Sequence, residues 1–436
     1  HVSRSSVPDE HFYIVYSMLV SGAVVILKWA RLFPDRQDYD NLAVLPISAR
    51  QNFLASMSAL LFLASLFAAI INGAASVIFP LAVTASFNRF AMFVEFFVAH
   101  LVSVTFASFF ACFGLLLLMG VTMLITPRRY TRAVSLAVRI LSALGLIGIL
   151  STVFTMPRLL SSGRIPEYAT FVPSVWFLDL HQMLLSRGIQ RLGLGAVCLE
   201  ITAATLFLSL IIYAVTYYRE YIQIPERSGL SAGRGRDSYS WIRRIVDAVA
   251  VRLPFEQATY HFAFKTLFRS ERHCLLFGTA SAVAFFLAAQ TAADAWANPI
   301  REGSDPRLLS ISLTIVYFTI VSLWALLDLP TDRYGNWIFR STVDFYRDSG
   351  RQVAAKVILS AAAGLMLIGL PAHVALWGWS TALLHTAYVL ACSIALTQLL
   401  LLRFHKIPFA CSYTASKDRV LMMIFLTMLG YSLFSG

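Results

Sequence analysis

Most of the charge in this chain lies outside its apolar runs, so the few titratable side chains within them are the first candidates for chemistry. Glu95, His100, Glu200, His373 and His385 sit in or beside stretches of Leu, Ala, Val and Phe. An ionisable group there is costly unless it is paired or lines a path, and carboxylates and imidazoles so placed handle protons or touch a substrate in transit. Glu95, His100 and His373 read as residues of the outer interface. Glu200, set further into its run, is the candidate translocation-path residue, with an interhelical hydrogen bond as its plainer role. Lys28, Arg139 and Lys356 lie near the ends of their runs, where a long stem lets the charge reach headgroups.

Several other chemistries have no support. No G-x-x-x-x-G-K-[ST] occurs, so the chain does not cradle nucleotide phosphates in the P-loop manner. Asp38-Tyr39-Asp40 is formally a DxD, a pattern of some glycosyltransferases, but no soluble catalytic domain accompanies it. Cys112, Cys198, Cys274, Cys392 and Cys411 are scattered without a CxxC or Cys/His cluster, so they read as apolar packing or idle thiols and no metal site is expected.

The elements that must carry these residues are membrane helices. Of 436 residues, 58% are hydrophobic and 13% charged, too little polar surface for a soluble domain of this length. Apolar runs long enough to cross about 30 Å of hydrocarbon recur near 12–30, 52–79, 97–125, 133–156 and 192–217. They return near 274–293, 308–327, 353–370, 381–402 and 420–434. The fold class is therefore all-α and polytopic, with about ten spans in this stretch. The segment 87–100 is expected to lie partly in the interface. Lys and Arg crowd one set of connections, from Arg31 to Arg50, Arg128 to Arg132, Arg219 to Arg272, Arg333 to Arg351 and Arg403 to Arg419. By the positive-inside rule these face the cytoplasm. The formal charge of +12 is thus orientation chemistry and attraction to lipid, and no basic face stands apart for nucleic acid.

An internal repeat organises the spans. "RLFPDRQDYDNLAV" follows Trp29-Ala30 and "LLDLPTDRYGNWIF" follows Trp324-Ala325, each with a Pro, an Asp-Arg pair, an aromatic residue and an Asn. "SARQ" at 48–51 matches "SGRQ" at 349–352, and Ser-x-x-Gln at a helix start is a capping box. The domain reading is a first half at 1–217 with an outer loop at 157–191, a cytoplasmic linker at 218–273, and a second half at 274–436. Within the linker, "SGLSAGRGRDS" reads as a flexible joint. The chain opens on His1 and stops at Gly436 inside an apolar run, so both ends read as cut. The expected whole is two six-span halves, about twelve spans. In the outer loop, "FVPSVWFLDLHQMLL" is too short to span, and one or two short helices dipping into the outer leaflet are expected there.

Six spans, a polar cytoplasmic insert between the second and third, and a structured outer loop before the sixth resemble the ABC-2 type permeases, the membrane subunits of ABC exporters. The local text is similar as well: an acidic-basic run, then Leu45-Pro46-Ile47-Ser48 and Arg50, then a span. The resemblance implies that the insert forms a short coupling helix docking on a separate ATPase, which would carry the ATP and Mg, with no cofactor in this chain. It also implies an amphipathic helix on the cytoplasmic leaflet ahead of each half, with 241–274 as the candidate for the second. The residues permit docking. Asp35 can cap a helix after Pro34, and Asp38 places charge near its positive end. Tyr39, Leu42 and Ala43 share a face, with Asp40, Arg36, Leu45 and Arg50 around it, and Pro46 ends the helix. The second insert offers Tyr334, Trp337 and Ile338, flanked by Asp332, Arg333 and Arg340. A helix resting on headgroups is the alternative for both. The function expected is outward transport driven by two ATPase copies per chain, in a bacterial cell membrane. The alternative is a secondary transporter or intramembrane enzyme working alone.

Overall fold

Ser48 starts the clearest helix as the sequence requires. Its hydroxyl accepts from the Gln51 amide at 3.3 Å, and Gln51 Oε1 accepts from the Ser48 amide at 2.9 Å, the reciprocal capping box. In the computed structural model the described residues are 7–29, 32–33, 40–41, 45–85, 90–127, 129–161, 170–185, 193–223, 247, 251–298, 305–329, 347–402, 404 and 407–409, with the backbone alone at 154–161 and 347–349. The candidate span 420–434 lies outside them. Among the described residues every regular element is a helix.

The helices are α1 (Val7–Lys28), α2 (Ala49–Thr84), α3 (Phe90–Ile125), α4 (Thr131–Ser161), α5 (Pro173–Leu184) and α6 (Leu194–Gln223). They are followed by α7 (Pro254–Arg269), α8 (Glu271–Ala297), α9 (Pro306–Leu327) and α10 (Arg347–Leu400). Pro173, Pro254 and Pro306 each stand in the first turn, where a missing N–H costs nothing. Eight helices among the described residues are long and apolar enough to cross a membrane, all but α5 and α7. The chain is a multi-pass helical membrane protein. Only a helix keeps its backbone groups paired in hydrocarbon, and these helices put bulk outward: Phe62, Ile70, Phe207, Ile368 and Leu384 are more than 60% exposed.

The chain divides into two compact units, between Arg234 and Gly235. In the first unit α1 packs on α3 and α4, α2 on α3, and α3 on α6, while α5 lies against α1, α3 and α6. Its inner faces carry small polar groups. Asn72 donates to Ser108 Oγ at 3.1 Å, and Ser17 donates to the Val104 carbonyl at 2.9 Å. In the second unit α9 lies between α8 and α10, and α7 packs on both α8 and α10. The buried residues of α7 are Glu256, Thr259, Tyr260, Ala263, Thr266 and Leu267, one stripe at helical spacing. It lies within the linker stretch that the sequence marks as a candidate amphipathic helix.

Two details differ from expectation. The runs 353–370 and 381–402 are two helices, as expected, but the first is longer. Helix continues through 371–377 and turns at Gly378, whose φ of 77° and ψ of 169° suit glycine alone. Arg351 Nη2 donates to Gln398 Oε1 at 3.2 Å, so the two limbs of α10 run back along each other. The second capping box does not form at a helix start, because α10 begins at Arg347 and Ser349 is already helical. From Phe90 onward the segment expected to lie partly in the interface forms the start of α3. Apolar text alone cannot place a helix end that is set by backbone geometry.

Candidate functional site

The end of the first unit remote from the polar insert gathers its titratable groups. Glu10 and His11 lie in the first turns of α1, His100 in the third turn of α3, and His181 near the end of α5, and all four are buried. His100 Nδ1 is 2.6 Å from Glu10 Oε2, a charge-assisted distance, and His181 Nε2 is 3.6 Å from the same oxygen, too long for a hydrogen bond. His11 Nε2 is 3.0 Å from Ser174 Oγ on α5. Glu10 Oε1, His11 Nδ1, His100 Nε2 and His181 Nε2 make no hydrogen bond. Tyr13 and Phe79 pack on the His100 ring at 5.5 and 5.0 Å between centroids, and Phe96 on His181 at 6.2 Å.

α5 is held there by more than the cluster. Asp179 Oδ2 accepts from the amides of Leu194 and Gly195 at 2.8 and 2.9 Å, capping the positive end of α6. Gly195 permits this approach, since a Cβ there would meet the Leu180 Cα at 3.0 Å. Phe177, Leu178 and Leu180 bury against Ile14, Met18, Val104 and Cys198. Burial holds the His181 imidazole below the ordinary histidine range. The Glu10 carboxylate raises it in part and His100 lowers it further.

The second unit has a smaller arrangement at its corresponding end. His385 Nε2 lies 2.6 Å from Ser312 Oγ, which itself lies 3.0 Å from the Leu309 carbonyl. His373 and Trp377 pack on His385 at 5.5 and 6.5 Å between centroids. A cavity of about 440 Å³ in this unit is lined mainly by Phe264, Phe277, Phe285, Ile315, Leu365 and Ile368. Among the described residues no group of three or more His, Cys, Asp or Glu is arranged to hold a metal ion.

The structure therefore brings together His100 in one unit and His373 with His385 in the other. Glu200 stands apart, exposed on α6. Glu10, His11 and His181 were missed because they flank apolar runs or sit in the outer loop. The signal was "DEH" at the threshold of a span and "LDLH" in an amphipathic segment. Arg139 does not snorkel: it is buried and its Nε donates to the Ile26 carbonyl, at the negative end of α1. Lys356 Nζ pairs with Glu256 at 2.6 Å and ties α7 to α10. Of the docking candidates, Asp40, Leu45, Pro46 and Arg50 are exposed, the last three at the head of α2. Asp35, Arg36, Asp38, Tyr39, Leu42, Asp332, Arg333, Tyr334, Trp337 and Arg340 lie outside the described residues. No protein-family model, curated protein or solved structure matches the chain.

Proposed function

We propose that this chain is the membrane-spanning permease subunit of an ATP-driven exporter of the ABC-2 type, two fused halves served by separate ATPase subunits in a bacterial cell membrane. The observation that carries the reading is α5, a short helix between two spans, buried on its inner face against α1, α3 and α6. It supports the reading because the resemblance implies a structured outer loop before the sixth span. The exposed Leu45-Pro46-Ile47 step ahead of α2 supports it too, since Leu45 and Ile47 are 47% and 42% exposed just beyond a membrane helix. A soluble partner can cover such residues. The buried Glu10 cluster favours a second reading, a proton-linked transporter working alone, because secondary transporters place ionisable groups at broken or short helices.

The two readings separate by mass. Native mass spectrometry of the full-length chain with a candidate stand-alone ABC ATPase should show one permease chain carrying two ATPase copies. Charge reversal at Arg36 and Asp40 together should weaken recruitment while leaving insertion intact, because like charges at a docking face cost affinity. A chain that binds no ATPase would leave the proton-linked reading in its place.

A further inference from the structure

We propose that Glu10, His100, His181 and His11 form a buried proton-binding site that latches α5 onto α1 and α3, and that binding of further protons unlatches it. The inference does not rest on the exporter reading. It starts from charge. Glu10 is fully buried, and among the described residues no Lys or Arg pairs with it. An isolated carboxylate there would cost several kcal/mol, so the closed cluster holds one proton that balances it, shared across the 2.6 Å contact between Glu10 and His100. His11 and His181 remain neutral while closed, since a second positive charge would have no partner.

Among the described residues, the other titratable groups around the cluster do not alter that count. Asp9 is exposed on α1 and Glu95 on α3, and Tyr13 presents its ring to His100. On α5, Asp179 is committed to the α6 amides. On α6, Cys198 is a buried thiol and Glu200 is exposed. From α2 the cluster meets the apolar ring of Phe79.

Opening α5 to water returns the imidazoles to their ordinary value near 6.5. Below that value His11 and His181 each gain a proton, so the open state binds more protons than the closed one and the latch fails as pH falls. Well above it, opening gives up the shared proton instead, so the latch is tightest near the ordinary histidine value. Each proton taken up on opening is worth up to about tenfold in open population per pH unit.

Hydrogen–deuterium exchange on the full chain in lipid nanodiscs, between pH 7.5 and 5 and corrected for intrinsic rates, reads this directly. The amides of 176–184 should lose protection below pH 6, by up to roughly a hundredfold per pH unit, for about two protons. Two variants move that slope in opposite directions. His181→Gln removes one proton acceptor and should cut it to roughly tenfold. Glu10→Gln needs no balancing proton when closed, so opening takes up one more and the slope should steepen to roughly a thousandfold. If His181→Gln does not fold, His11→Gln should give the same reduction. Protection that stays constant from pH 7.5 to 5 in the unmodified chain would overturn the proposal, as would one slope shared by the unmodified chain and both variants.

Discussion

Each unit sets imidazoles at the end of its bundle away from the polar insert, but among the described residues only the first gives them a carboxylate. Around His100 there are Glu10, His181 and a separate helix, α5, that must dock to close the site. Around His385 there are His373 and Trp377 from the same hairpin, whose limbs are joined by one residue, and the Ser312 hydroxyl from α9. The difference is one of charge and of connection. The first end can hold a balanced ion pair and can open by moving α5. The second is a neutral cluster in which no short helix has to dock. Similar residues at similar positions thus serve different ends, and the partner group decides which.

That contrast predicts unequal losses on truncation. Glu10→Ala leaves His100 buried without its partner and opens a void, and should cost about 3–5 kcal/mol in thermal or denaturant unfolding of the detergent-solubilised chain. Ser312→Ala removes one neutral hydrogen bond and should cost only about 1 kcal/mol. Equal costs would show that the carboxylate carries no charge in the folded protein and would break the comparison.

The hairpin yields the next largest effect. At φ 77° and ψ 169°, Gly378 occupies a region essentially closed to side chains. Gly378→Ala should cost about 1–3 kcal/mol. Gly378→Asn should be no better, since asparagine is tolerated in the left-handed helical region and not in this one. Circular dichroism melts of the two variants side by side check this. Rescue by asparagine would mean that the turn relaxes to ordinary left-handed geometry.

These residues also show what the sequence could reveal. Apolar run length located nearly every described span, because hydrocarbon thickness sets it and composition alone satisfies it. Ser48 and Gln51 announced a helix start that forms, since a capping box is local chemistry. Ser349 and Gln352 have the same spacing and form no such start, because an earlier turn already begins the helix. The Glu10 cluster was hardest to see. Its members are separated by up to 171 positions in the chain and are joined only by the packing of three helices. Asp179 was equally hidden, its role fixed by the distant start of α6.

The smallest effect sharpens the comparison most cleanly, because it sets the two ends on different pH scales. The second unit has its carboxylate near this end at Asp305, which caps α9 by accepting from the Arg307 amide at 2.9 Å and pairs with Arg307 Nη2 at 2.8 Å. The side-chain hydrogen bond from Arg307 holds the Asp305 carboxyl below its usual value, burial opposes this, and the Arg307 amide and charge add to it. A depressed carboxyl stabilises the fold at pH above its ordinary value and loses that contribution as pH falls through its lowered one. Acid should therefore loosen the start of α9 only below about pH 4, in the carboxylate range, whereas α5 responds in the histidine range. Amide exchange at 308–312, followed from pH 5 to pH 3, should accelerate modestly. Asp305→Asn keeps a good cap but not the ion pair, so it should flatten that response while leaving neutral-pH exchange nearly unchanged. Arg307 is partly exposed, so salt screens the pair and raising ionic strength should shrink the effect further. A response of α9 near pH 6 would come instead from His385 at Ser312 and would erase the distinction between the two units.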